Sequence, residues 1–154
     1  METNTNIAGC GGVMRDASGH WKAGYVHNIG ICSPLQAESW ALLKGLQLAT
    51  THAARKVIFE SDSSEVVRRM NNSHVDATDS NIILACKHEC RRFEEVKILL
   101  IAREKNAVAD FLAKLAKQYA QGVHILTTPP VEVARLLEED ATGIPQWRFS
   151  VKTR

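Results

Sequence analysis

The hydrophobic residues of this chain fall into short runs and helical stripes, and each kind predicts its own element. "GGVMRD" and "HWKAGYVHNIG" flank the turn-forming residues Asp16, Ala17, Ser18 and Gly19, which predicts a β-hairpin. Ser33 stands where a helix N-cap belongs, with Pro34 at the first helical position and Gln36 three residues after the cap, the pattern of a capping box. A helix is expected from there to Thr51, with Leu42, Gly45, Leu46 and Ala49 along one face. "KVIFES" reads as a short strand buried on both faces. Helices follow over Ser63 to Asn72 and Asp79 to Phe93, separated by the polar link "NNSHVDATDS". "VKILLI" is a second buried strand, and "AVADFLAKLAKQYA" a fourth helix presenting Val108, Leu112, Leu115 and Tyr119 on one side.

That order gives a mixed α/β domain. The hairpin contributes antiparallel strands, the later strands pair in parallel through right-handed crossovers, and helices pack over the sheet. Trp40, Leu43, Val57, Phe59, Leu99, Leu112 and Leu115 are its expected core. After Gln121 the character changes. "TTPP" breaks the chain, "VEVARLLEED" predicts a short amphipathic helix, and "ATGIPQWRFSVKTR" reads as a tail. The expected division is a domain over 1–120 and an extension over 121–154.

Composition narrows the functional classes. With 154 residues, 45% of them hydrophobic and 23% charged, the chain is long enough for one cored domain and is globular in character. A net charge of +2 permits nucleic-acid binding without indicating it. No apolar run has spanning length and the N-terminus has no signal-peptide core, so a soluble intracellular protein without membrane contact is expected. The four cysteines suit a reducing compartment. Cys86 and Cys90 lie one helical turn apart with His88 between them, but a zinc site needs two further ligands. With Ile82, Ile83 and Phe93 they fit a buried helical stripe instead.

Three carboxylates interrupt apolar patterns: Glu38 in the first helix, Asp62 after "VIFES", and Asp110 early in the last of the four helices. Each has a local reading. Asp62 can cap the helix that follows, and Asp110 and Glu38 lie in early turns, where the helix dipole favours negative charge. Asp62, however, also ends a parallel strand, where open α/β sheets gather functional groups. Carboxylates converging to about 5 Å would repel by about 3 kcal/mol per pair at an effective dielectric of about 20, so they would need a cation. Oxygen-only ligands select Mg²⁺ or Mn²⁺, and the usual chemistry there is displacement at phosphorus.

The stretches "GCGGVMRDASGHW", "PLQAESWALLKGLQLA", "VIFESDSSEVV" and "REKNAVADFLAKLA" occur in order over residues 9–118. In these the chain resembles the type 1 ribonuclease H family, especially the plant group related to the ribonuclease H domains of retroelements, and "GVHILTTPP" is similar to that group as well. The resemblance implies metal-dependent endonucleolytic hydrolysis of RNA in RNA–DNA hybrids. It assigns Glu38, Asp62 and Asp110 to three of four acids that bind two Mg²⁺ or Mn²⁺ ions. Arg68, Arg69, Lys87, Arg91 and Arg92, and Arg148, Lys152 and Arg154 near the end, are candidate phosphate contacts, or else ordinary solvated positions.

Two departures accompany it. The family's first acid is an aspartate on an opening strand, followed by a glycine and a loop. By the family's spacing it falls ahead of Met1, so the first strand is expected to be cut short, with Glu2 as the nearest substitute. The family's histidine before the last aspartate is replaced by Leu100. The alternatives are a catalytically impaired module that binds nucleic acid or protein on the same fold, and another ribonuclease H-like nuclease or transposon-derived protein.

Overall fold

In the hairpin turn the Asp16 carboxylate accepts the Ser18 and His20 amides at 2.9 and 3.0 Å, and Gly19 takes a φ of 84°. That turn joins β1 (Ile7–Arg15) to β2 (Trp21–Ile31). There follow α1 (Pro34–Thr51), β3 (Lys56–Ser61), α2 (Ser64–Asn71), α3 (Asn81–Cys90), β4 (Glu95–Leu100), α4 (Ala107–Ala116), β5 (Gly122–Leu126), α5 (Val131–Glu139) and β6 (Trp147–Thr153). This computed structural model describes residues 7–139 and 147–153; Glu2 and Arg154 lie outside them.

The strands form one six-stranded sheet in the order β4-β3-β6-β1-β2-β5. β3 is parallel to β4 and β6, while β1 is antiparallel to β2 and β6. α1, α2 and α3 cover one face, where Leu42, Leu46, Val66 and Cys86 meet Met14, Tyr25 and Phe59. α4 and α5 cover the other, where Leu112, Val133 and Leu137 meet Val13 and Val26. The capping box forms as expected: the Ser33 hydroxyl accepts the Gln36 amide, and the Gln36 side chain accepts the Ser33 amide. Gly11 sets the seat of α4, since a Cβ there would lie 2.6 Å from Leu112 Cβ. Only a bare backbone lets the helix approach this closely.

Several expectations change. "ATGIPQWRFSVKTR" is not simply a tail, because Trp147–Thr153 forms a central strand, and β5 also joins the sheet, which therefore continues past residue 120. "VKILLI" is not buried on both faces: β4 is an end strand, and Leu99 is 45% exposed while Ile98 packs inward. Leu43, Val57, Phe59 and Leu112 are buried, whereas Trp40 and Leu115 are only partly so. α3 and α4 stop earlier than their patterns suggest. Arg55 O draws the Glu94 amide into the start of β4, and the Asn28 side chain donates to Tyr119 O beyond α4.

His27 on β2 is buried edge-on to Trp40, with ring centres 6.0 Å apart. Burial, then the charge of Lys44 and His124, pushes its imidazole down from 6.5 to about 4. The unfolded chain therefore takes up this proton first. Its contribution is complete above the unfolded value and is lost as pH falls from about 6.5 towards 4, by at most about 3 kcal/mol. Urea midpoints at about pH 7 and about pH 5 should differ by less in His27→Gln than in the parent.

Candidate acidic site at the carboxyl end of β3

The strand β3 ends at Ser61, whose carbonyl accepts the Ile101 amide at 2.9 Å. Asp62 follows, and its carboxylate is almost wholly buried, 3.8 Å from Arg103 Nε. It is not the cap of α2. That place belongs to Ser63, whose hydroxyl accepts the Val66 amide at 3.3 Å. The same hydroxyl donates to Glu38 Oε2 at 2.7 Å, so α1 brings Glu38 against the residue next to Asp62. Asp110 lies in the first turn of α4, where the dipole favours it, and sits 3.5 Å from Lys114 Nζ.

Ser63 thus performs two tasks, and sequence reasoning named neither. The available signal was the doubled serine in "SDSSE". Ser63→Ala removes a cap, about 1 kcal/mol, and a hydrogen bond to a carboxylate, about 1.5–3 kcal/mol. Because these share one hydroxyl, a net loss of about 2 kcal/mol is expected, checked by the shift in urea midpoint. Arg103 and Lys114 were also missed as partners of the acids. Their ion pairs reach mostly exposed cations, so they hold the carboxylates only loosely.

The donor chemistry suits a hard divalent ion, but the arrangement does not fit a three-ligand cage. Among the described residues, no three aspartate, glutamate, histidine or cysteine side chains are grouped so as to hold a metal ion. Glu38 is held at Ser63, and Asp62 and Asp110 face cations of the chain. Burial pushes the Cys86 thiol up and the Cys90 thiol to about 11. Both then stay protonated near neutral pH, which suits packing rather than zinc.

The candidate phosphate contacts form a local network. Arg68 binds Glu65 at 2.8 Å, Arg69 binds Asp79 at 2.9 Å and Glu65 at 3.2 Å, and Lys87 binds Asp79 at 3.1 Å. Arg92 lies 3.3 Å from Glu89, and Arg91 is exposed at the end of α3. Lys87 and Arg91 also line an open cavity of about 300 Å³ between α2, α3 and β4, with Asn71, Asn72 and Ser73. Internal pairing weakens these side chains as a phosphate strip, because an incoming phosphate must compete with carboxylates already in place. No described helix is long and apolar enough to cross a membrane.

A family model described as reverse transcriptase-like matches residues 1–116. An Arabidopsis thaliana protein named as a ribonuclease H protein is 34% identical over 141 residues, covering 91% of this chain and 23% of that protein. The chain thus spans under a quarter of that relative's length. Ribonuclease H1 from the halophilic archaeon Halobacterium salinarum matches with a TM-score of 0.68 and 24% identity, over 77% of this chain and 93% of that one. The N-terminal ribonuclease H domain of a Mycobacterium tuberculosis protein, solved as a fusion with maltose-binding protein, matches with a TM-score of 0.65 and 23% identity, over 75% and 87%. These two structural likenesses are of fold.

Proposed function

Because this chain belongs to the reverse transcriptase-like family of ribonuclease H-type domains, we propose that it hydrolyses the RNA strand of RNA–DNA hybrids with divalent ions, and that it does so slowly in the conformation described. The observation that carries this reading is the pairing of Glu38 with Ser63, next to buried Asp62, where β3 ends in a ribonuclease H-type fold. A bound Mg²⁺ or Mn²⁺ would supply Lewis acidity at phosphate and an activated water. The chain's own part is to orient the acids: Ser63 fixes Glu38, the end of β3 positions Asp62, and α4 carries Asp110. Slowness follows because, among the described residues, no three such side chains are grouped so as to hold a metal ion.

Those pairings also favour a second reading, a module that binds hybrids without cutting them. The exposed Leu100, where the family carries a histidine, points the same way, since it supplies no proton transfer. Incubation with labelled hybrid, duplex RNA and duplex DNA in Mg²⁺ or Mn²⁺ separates the readings. Slow cutting of the hybrid's RNA strand alone, stopped by chelator, supports the nuclease. Binding of the hybrid with no cutting supports the module, and neither binding nor cutting overturns both.

A further inference from the structure

Gln36, Trp40 and Lys44 recur at every fourth residue of α1, so they form one stripe along the helix. Glu38 is not part of it: a step of two residues turns it about 200° away, to the other side of α1. Opposite the stripe, His27 and Ile29 of β2 and Val123 of β5 complete an open cavity of about 390 Å³. That volume is within the range of small-molecule sites, about 300–1,000 Å³. No acid is among the residues that line it.

Two polar groups in this wall are poorly satisfied by the chain itself. His27 is 8% exposed, and its Nδ1 is covered without a hydrogen-bond partner among the described residues. Burial keeps the ring neutral near neutral pH, so one nitrogen carries a proton and the other is bare. A buried lone pair is tolerated better than a buried N–H without an acceptor, which assigns the proton to Nε2. Lys44 is the second group. Its ammonium lies 5.3 Å from the centre of the Trp40 ring and donates to Gln47 Oε1 at 3.3 Å. Lys87 and Arg69 are held by Asp79, whereas Lys44 has no carboxylate partner among the described residues. We propose that this cavity binds a small carboxylate with a flat apolar body. The anionic end is held by Lys44 and the His27 Nε2–H, and the body lies on Ile29, Trp40 and Val123. One cation and one neutral donor match the single charge and two oxygens of a carboxylate. The site is independent of any role for Glu38, Asp62 and Asp110.

The full chain, with isotopically labelled histidine rings followed by NMR, should be titrated with cinnamate near neutral pH. Half-saturation below about 1 mM is expected, with the largest shift at the His27 Nε2 signal, which His27→Gln identifies by its loss. Cinnamamide has the same shape without the charge and should bind at least about tenfold more weakly. Lys44→Gln should weaken cinnamate by a similar factor, and Lys44→Arg should keep most of the affinity. Lys22→Gln removes the same charge near the opposite end of β2 and should change nothing. Equal binding of cinnamate and cinnamamide, shifts at other histidines without one at His27, or no saturation by about 10 mM would overturn the site. Equal losses in Lys44→Gln and Lys22→Gln would reduce the effect to net charge and overturn the role of Lys44.

Discussion

A β-strand ending in Asp-Gly, fused ahead of this chain, should raise its cleavage of RNA–DNA hybrids by about a hundredfold or more. Such a strand can pair with β1 only where β6 now lies, so it should displace β6 and bring an aspartate level with Asp62. The added carboxylate would help hold a divalent ion, whose Lewis acidity is worth several kcal/mol of charge stabilisation, and each 1.36 kcal/mol is about tenfold in rate. The change should be visible in two ways. Initial rates on hybrid should rise, and amides of 148–152 should lose protection as β6 leaves. The same fusion ending in Asn-Gly should displace β6 and raise the rate far less.

Leu112→Ala should cost about 2–5 kcal/mol, enough to remove a large part of a domain's net stability. Leu112 is completely buried, and it forms the contact that seats α4 on β1 at Gly11. A cavity there cannot close easily. The glycine opposite has no side chain to move into it, and the surrounding core of Val13, Val26, Val108 and Val133 is made of branched residues with few rotamers. Urea unfolding with an unchanged slope and a lower midpoint would identify the loss as one of native packing. A shift below about 1 kcal/mol would mean that α4 is seated by something other than this contact.

Much of the fold was legible because its signals are local. The Asp16 turn and the Ser33–Gln36 capping box need only neighbours in sequence, and both form as read. The family resemblance was carried by motifs long enough to be specific, and the match over residues 1–116 agrees with it. β6 was missed although "WRFSVKT" alternates apolar and polar residues with a period of two. The pattern was present, but a strand's neighbours are chosen by tertiary pairing, and nothing local says that the last segment goes to the centre. Leu99 failed for a related reason, since an apolar run in a strand at the end of a sheet looks the same as one between two others. At the acids, adjacent Asp62 and Ser63 were equally good caps on paper. Ser63 takes the cap, which leaves the Asp62 carboxylate facing Arg103.

The proposed nuclease requires Asp62 in a divalent-ion site acting on RNA in hybrids. The most direct test is single-turnover cleavage of one hybrid, labelled on each strand, in Mn²⁺ by the full chain and by Asp62→Asn. The substitution is nearly isosteric, and equal urea midpoints for the two proteins would show that the fold is intact. Slow, chelator-sensitive cuts within the RNA strand, present in the parent and at least about a hundredfold weaker in Asp62→Asn, are expected. Cutting at equal rates by both proteins, cutting of the DNA strand as well, or no cutting by either would contradict the claim.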